Sequence, residues 1–184
     1  MLSGSPKTLA AVLCLCGLLA AAGPPGIWLD VPFVKQKKNG CGAASISMVM
    51  QYWLRQQGGP PDKNADAESI QRALYTSQAK GIYASALERY LQNHGFRTFA
   101  FRGEWGDLRD HLEKGRPLIV ALKPAGGVPV HYVVVTGLDW ERTMVLVNDP
   151  ARRKLLKQDR FDFEKQWNAA GNWTLLAVPQ QGGV

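Results

Sequence analysis

Cysteine is scarce in this chain: three occur in 184 residues. Two of them, Cys14 and Cys16, lie in an N-terminal apolar stretch, so Cys41 stands alone in the remainder. Once that stretch is removed, neither a disulfide framework nor a Cys₂ or Cys₄ zinc site can form. Histidine is as thin, with three in all. His94 and His111 are expected on helix surfaces and no H-E-x-x-H pattern occurs, which argues against metal catalysis. The chain also lacks G-x-x-x-x-G-K-[ST], a helix-turn-helix, an RNP-type aromatic motif, internal repeats and low-complexity tracts. Acid is in deficit, with 15 Asp and Glu against 22 Lys and Arg, a net charge of +7. The excess gathers at Lys35, Lys37 and Lys38, before Cys41, and at Arg152, Arg153, Lys154 and Lys157, after Asp149. A basic face suits nucleic acid or an anionic envelope surface. Without a nucleic-acid motif, solvated faces are the expected reading and no nucleic-acid partner is expected. The first cluster can also add positive potential beside Cys41.

No apolar run reaches the roughly 20 residues a membrane-spanning helix needs. The N-terminal stretch has another pattern: Lys7, then an apolar segment over 8–19, then Ala20-Ala21-Ala22 before Gly23. A basic flank, a short apolar segment and an A-x-A site predict a secretory signal peptide over 1–22. An uncleaved membrane anchor is the alternative, and contact with a membrane is expected only in that case. Cys14 and Cys16 lack a lipoprotein context. The rest of the chain, 23–184, has the size of one domain, expected in the periplasm or outside the cell as a monomer.

Gly23-Pro24-Pro25-Gly26 is a turn-rich leader, and 27–34 reads as extended. Ile46, Val49, Met50, Trp53 and Leu54 recur at helical spacing and predict a buried helix over 42–57. Gly58-Gly59-Pro60-Pro61 breaks the chain. Asp66 can cap a helix through Ile70, Leu74 and Tyr75, and a further helix spans 84–94. The period then changes. Residues 96–101 alternate as a strand, 104–114 form an amphipathic helix, and 117–123, 130–138 and 143–148 are β-rich. A helix over 161–169 and a strand over 173–178 complete the chain. Helices first, then antiparallel strands, predict an α+β fold.

Cys41 falls between Gly40 and Gly42, where a loop enters the first helix. Unpaired N–H groups and the dipole there favour a thiolate, which is the nucleophilic form. Flanking glycines allow a sharp turn and close approach of a substrate. A small buried hydrophobe is the other reading of Cys41. His131 opens a strand, after the Gly126-Gly127-Val128-Pro129 loop, and Asn148-Asp149-Pro150 ends the next one. If those strands pair as an antiparallel hairpin, equal lengths from Val135 back to His131 and from Val145 on to Asp149 bring the two residues together. A satisfied core histidine and a turn-forming aspartate are the plainer readings. Taken together, the three residues have the parts of a nucleophile, a base and an orienting acid. The N–H of Cys41 and the side-chain amide of Gln36 are candidate donors to an oxyanion.

The motifs Val31-Pro32-Phe33 with Gln36, Cys41-Gly42-Ala43-Ala44-Ser45, His131 through Gly137, and Asn148-Asp149-Pro150 resemble those of the C39 peptidases. That family comprises papain-like domains that trim double-glycine leaders from bacteriocins during export. The resemblance spans nearly all of 23–184. It implies a papain-like cysteine peptidase fold, with the nucleophile at a helix N-terminus packed on a C-terminal antiparallel sheet. It also implies Cys41 as nucleophile, His131 as general base and acid, Asp149 as orienter and Gln36 as oxyanion donor, with a peptide or protein substrate and no cofactor. Two positions depart from the family pattern: Gly40 stands where a polar residue often precedes the cysteine, and Ala43 where proline often follows. No transporter or ATPase segment accompanies the domain, so the resemblance is to a free-standing, secreted branch. An amidase or transglutaminase-like acyl transferase would use the same residues, whereas a cell-wall endopeptidase would want a polar third residue from the strand after the histidine, which Asp149 fits less well. A non-catalytic peptide-binding module is the remaining alternative.

Overall fold

The computed structural model describes residues 26–126 and 129–180. The expected signal peptide over 1–22 lies outside them. Helix α1, Cys41–Gln56, is the centre of the fold. Residues 42–50 are all buried, so α1 is covered on every side at its N-terminal half. Ile46, Met48, Val49 and Met50 are at most 2% exposed, and each such side chain contributes about 1.5–3 kcal/mol of burial. Helices α2 (Ala67–Leu74) and α3 (Ala84–Asn93) lean on α1. Asp66 caps α2, its side chain accepting from the Ser69 N–H at 2.8 Å. A 3₁₀ turn, Lys63–Ala65, precedes it and is capped in turn by Asp62.

Among the described residues, seven strands form one antiparallel sheet: β1 (Gly26–Trp28), β2 (Phe96–Arg102), β3 (Leu118–Leu122), β4 (His131–Asp139), β5 (Met144–Asn148), β6 (Leu156–Asp159) and β7 (Trp173–Pro179). Their order is β2-β7-β3-β4-β5-β6, and β1 pairs with the far end of β4. Period-2 alternation divides the side chains between two faces. Ile119, Ala121, Tyr132, Val134, Leu175 and Ala177 join the core beneath α1, α2 and α3. Leu118, Val120, Leu122, Val133, Val135 and Leu176 pack instead with Leu108 and Leu112 of α4 (Trp105–Glu113) and Phe163 and Trp167 of α5 (Arg160–Ala169). The result is an α+β fold in three layers, with helices on both faces of the sheet rather than on one.

Three expectations need correction, and one strand was not expected. The extended segment at 27–34 is a strand only over Gly26–Trp28, after which Val31, Pro32 and the residues to Gly40 run as an irregular connection. Helix α2 ends at Leu74, where Tyr75 adopts extended backbone. Strand β6 lacks a hydrophobic signature because it is a sheet-edge strand, reading Leu-Lys-Gln-Asp with only Leu156 buried. The β4–β5 register also differs: Val135 pairs with Val147 and Val134 with Asn148, with a bulge between Val135 and Gly137. Continuing that ladder sets Asp149 beside Val133, two residues from His131. The two side chains meet across a diagonal, which is within reach in an antiparallel pair.

Candidate active site

The loop entering α1 is held tightly. Gly40 N–H donates to the Lys37 carbonyl at 2.9 Å, and Asn39 takes a left-handed φ of 58°, a conformation asparagine tolerates. Gly40 and Gly42 are glycine for a different reason from the expected sharp turn, since neither has positive φ. A Cβ on Gly40 would stand 2.6 Å from Gln71 Oε1 and 3.0 Å from the Lys37 carbonyl oxygen. A Cβ on Gly42 would stand 3.0 Å from Leu87 and 3.3 Å from Ile82. Protein atoms close in on both glycines and fix where Cys41 sits. No side chain among the described residues caps α1.

Cys41 is partly buried and is a free thiol. The His131 ring and the main-chain N–H groups of Tyr132 and Gly42 are the groups around it that favour the thiolate. Burial pushes the thiol pKa up from its ordinary 9.0, but those groups together outweigh it and hold the pKa below that value.

His131 is the first residue of β4, opposite Leu122 of β3. Its Nε2 lies 2.7 Å from Asp149 Oδ1, which leaves Nδ1 for the sulfur. The side chains of His131 and Asp149 are 20% and 9% exposed. Burial pushes the imidazole pKa down, but Asp149 and the Cys41 thiolate together raise it to about 9. Asp149 has the reverse balance: burial raises its pKa, while His131, the Ala151 N–H and Arg152 hold it below the usual carboxylate value. The three side chains thus favour a thiolate, an imidazolium and a carboxylate in a row.

The turn after β5 fixes Asp149. Its Oδ1 accepts from Ala151 N–H at 2.9 Å, its N–H donates to the Arg153 carbonyl at 3.1 Å, and its own carbonyl accepts from Arg152 N–H at 3.0 Å. The Gln36 segment is tied to the same turn, because Gln36 N–H donates to the Pro150 carbonyl at 2.9 Å. Gln36 lines a recess with Gly40 and Ala44 at the start of α1, and its Oε1 is buried with no hydrogen-bond partner among the described residues.

Two contributors are not among the expected site residues. Asn148 is fully buried and clamps the site: Nδ2 donates to the Val31 and Pro32 carbonyls at 3.1 and 3.3 Å, and Oδ1 accepts from Leu155 N–H at 3.0 Å. The Tyr132 N–H helps to lower the Cys41 pKa, while burial and the Cys41 charge push its own phenol up to about 12. A buried asparagine beside an aspartate is a detectable signal for a clamp. A main-chain donor leaves none. His94 and His111 are not fully surface residues as expected; both are half-buried. His94 stacks on Tyr90 at 4.1 Å and pairs through Nδ1 with the Tyr90 carbonyl at 2.7 Å, and His111 lies beside Phe101.

This arrangement sits on a fold shared with known cysteine peptidases. A C39-like peptidase candidate from Bacillus anthracis superimposes with a TM-score of 0.67 at 18% identity, covering 86% of this chain and 100% of that one. A double-glycine-motif protease from an AMS/PCAT transporter, solved with a leader peptide, gives 0.63 at 22% identity, covering 83% and 94%. Xylellain, a cysteine protease from Xylella fastidiosa, gives 0.59 at 12% identity, covering 88% of each. No curated protein matches the sequence. The Peptidase_C39-like family matches residues 28–175, and the chain belongs to that family. It is a papain-like cysteine peptidase, a hydrolase. No helix among the described residues is long and apolar enough to cross a membrane.

Proposed function

We propose that the chain hydrolyses peptide bonds with Cys41 as nucleophile, His131 as proton carrier, Asp149 as orienter and Gln36 as oxyanion donor. The observation that carries this reading is the 2.7 Å hydrogen bond between His131 Nε2 and Asp149 Oδ1, with His131 near enough to Cys41 to help hold the thiol pKa down. The Cys41 thiolate attacks the scissile carbonyl carbon, and the carbonyl electron pair moves to oxygen. The Cys41 N–H and the Gln36 side-chain amide hold that oxyanion. As the C–N bond breaks, the His131 imidazolium gives its proton to the departing amine, leaving a thioester on Cys41. Neutral His131 then takes a proton from water, the hydroxide displaces the thiolate, and the peptide acid leaves. Asp149 keeps the ring oriented and steadies its charged form throughout.

The substrate is a peptide or protein cut after small residues such as Gly-Gly. Support comes from the double-glycine-motif protease among the similar folds. The domain over 23–184 works as an exported monomer, released from the signal peptide over 1–22. The test incubates purified protein and its Cys41→Ala and Cys41→Ser variants with a panel of Gly-Gly and other peptides. Cleavage by the wild type, and none by either folded variant, is expected. Turnover surviving in Cys41→Ala would remove the nucleophile assignment, and transfer of the acyl group to an added amine in preference to water would make the chain an acyl transferase.

A further inference from the structure

Two loops bring the basic clusters of the sequence into one place. Lys35 and Lys38 flank Gln36 on the segment leading to Cys41, and Arg152 and Arg153 follow Asp149. The Gln36–Pro150 hydrogen bond joins the two segments, and the Asp149–Arg153 and Arg152–Asp149 bonds fold the second directly under the triad aspartate. All four cationic side chains are exposed. Their neighbours Lys37 and Lys154 are neutralised by Glu68 and Asp30, at 2.6 and 2.7 Å. Lys35, Lys38, Arg152 and Arg153 have no ion-pair partner among the described residues. The exposed charge on these two loops is therefore positive beside the reacting groups, while the recess also carries Asp66 and the Lys37-paired Glu68, and Arg152 is near enough to lower the Asp149 pKa.

We propose that the loops bearing Gln36 and Asp149 form a cationic rim that takes an acidic stretch of the peptide substrate. This names a substrate class for the peptidase reading and rests on it. A surface of one sign beside a cleft raises the local concentration of oppositely charged ligands and speeds their encounter, with an effect that salt removes. A positive rim also tolerates the thiolate and the developing oxyanion, so recruiting an acidic peptide here does not oppose the chemistry. Peptide is favoured over lipid because the two cationic loops carry Gln36 and Asp149, Lys35 lines the recess that holds Gln36, and the adjoining segment 75–83 presents two half-exposed tyrosines, Tyr75 and Tyr83.

The test measures how peptides protect Cys41 from alkylation by neutral iodoacetamide. Two peptides share one sequence except for Glu or Gln at the flanking positions. At low ionic strength the Glu peptide should halve the labelling rate at a concentration about tenfold below that of the Gln peptide. The gap should close with added salt and in Lys35→Glu/Arg153→Glu. Lys38→Gln/Arg153→Gln is the milder pair should the charge reversal unfold, and it should narrow the gap. Equal protection by the two peptides would overturn the proposal, as would a gap indifferent to salt and to these variants. Stronger protection by phosphatidylglycerol vesicles than by the Glu peptide would assign the rim to a membrane and overturn it too. The peptidase reading is tested separately: unprotected labelling no faster than that of free cysteine would contradict the thiolate, while the comparison of the two peptides would still stand.

Discussion

At the scale of single residues, the site is a competition between burial and pairing. Burial alone would make Cys41 a neutral thiol and His131 a neutral imidazole; their contact, with Asp149 behind it, reverses both directions. This ranks the losses. His131→Ala should cost nearly as much as losing Cys41, and combining the two should add little, because they act as a unit. Asp149→Asn should be milder, since an amide oxygen can still accept from Nε2–H. It should also move the alkaline limb of the pH profile down, because the carboxylate helps to hold His131 at about 9. Gln36→Ala should lower kcat by about 10²–10³ and leave KM nearly unchanged. Steady-state kinetics on one cleaved peptide reads all four. A rise in KM at unchanged kcat would make Gln36 a substrate contact instead. Cys41 and His131 stand out in the sequence because each is a scarce side chain in a motif, and Gln36 and Asp149 are proposed with them because they stand in neighbouring motifs. The contribution of the Tyr132 N–H was not legible, since any residue can supply it.

At the scale of elements, the reactive groups come from three segments that are distant in sequence and meet at one end of the sheet. Asn148 is the tie among them, joining β5 to the Val31–Pro32 segment and to Leu155. Asn148→Ala would leave buried carbonyl and N–H groups unpaired and should lower stability by about 2–3 kcal/mol. Urea denaturation measures the loss, and a change under about 0.5 kcal/mol would show that the clamp carries little. Sequence patterning was enough for α1, α3, α4, α5 and the central strands, whose apolar residues follow the helix and strand periods. It was not enough for β6, an edge strand with one buried residue, nor for the β4–β5 register. The bulge before Gly137 changes the count of opposed residues, and strand lengths do not reveal a bulge. The expected His131–Asp149 meeting survived this slip because a two-residue shift keeps both side chains on the same face.

At the scale of the whole molecule, one sheet with helices on both faces makes a rigid base, and the site lies where α1 begins and β4 opens. The proposed signal peptide over 1–22 is tested by sequencing the N-terminus of protein made in a secreting host: a start at or near Gly23 outside the cytoplasm is expected, and intact Met1 in a membrane fraction would favour an anchor. The central claim is that Cys41 and His131 form a thiolate–imidazolium pair. The pair exists once pH rises through the lowered Cys41 pKa and is lost as pH rises through about 9, where His131 gives up its proton. Peptide hydrolysis should therefore follow a bell with its alkaline limb near 9. The most direct measurement is the rate of Cys41 alkylation by iodoacetamide as a function of pH, in the wild type and in His131→Ala. The wild type should react quickly at neutral pH, with a midpoint below that of a free thiol, and His131→Ala should shift the midpoint upward. A wild-type midpoint at or above the ordinary thiol value of 9.0, unmoved by His131→Ala, would contradict the pair and return Cys41 to the role of a buried structural residue.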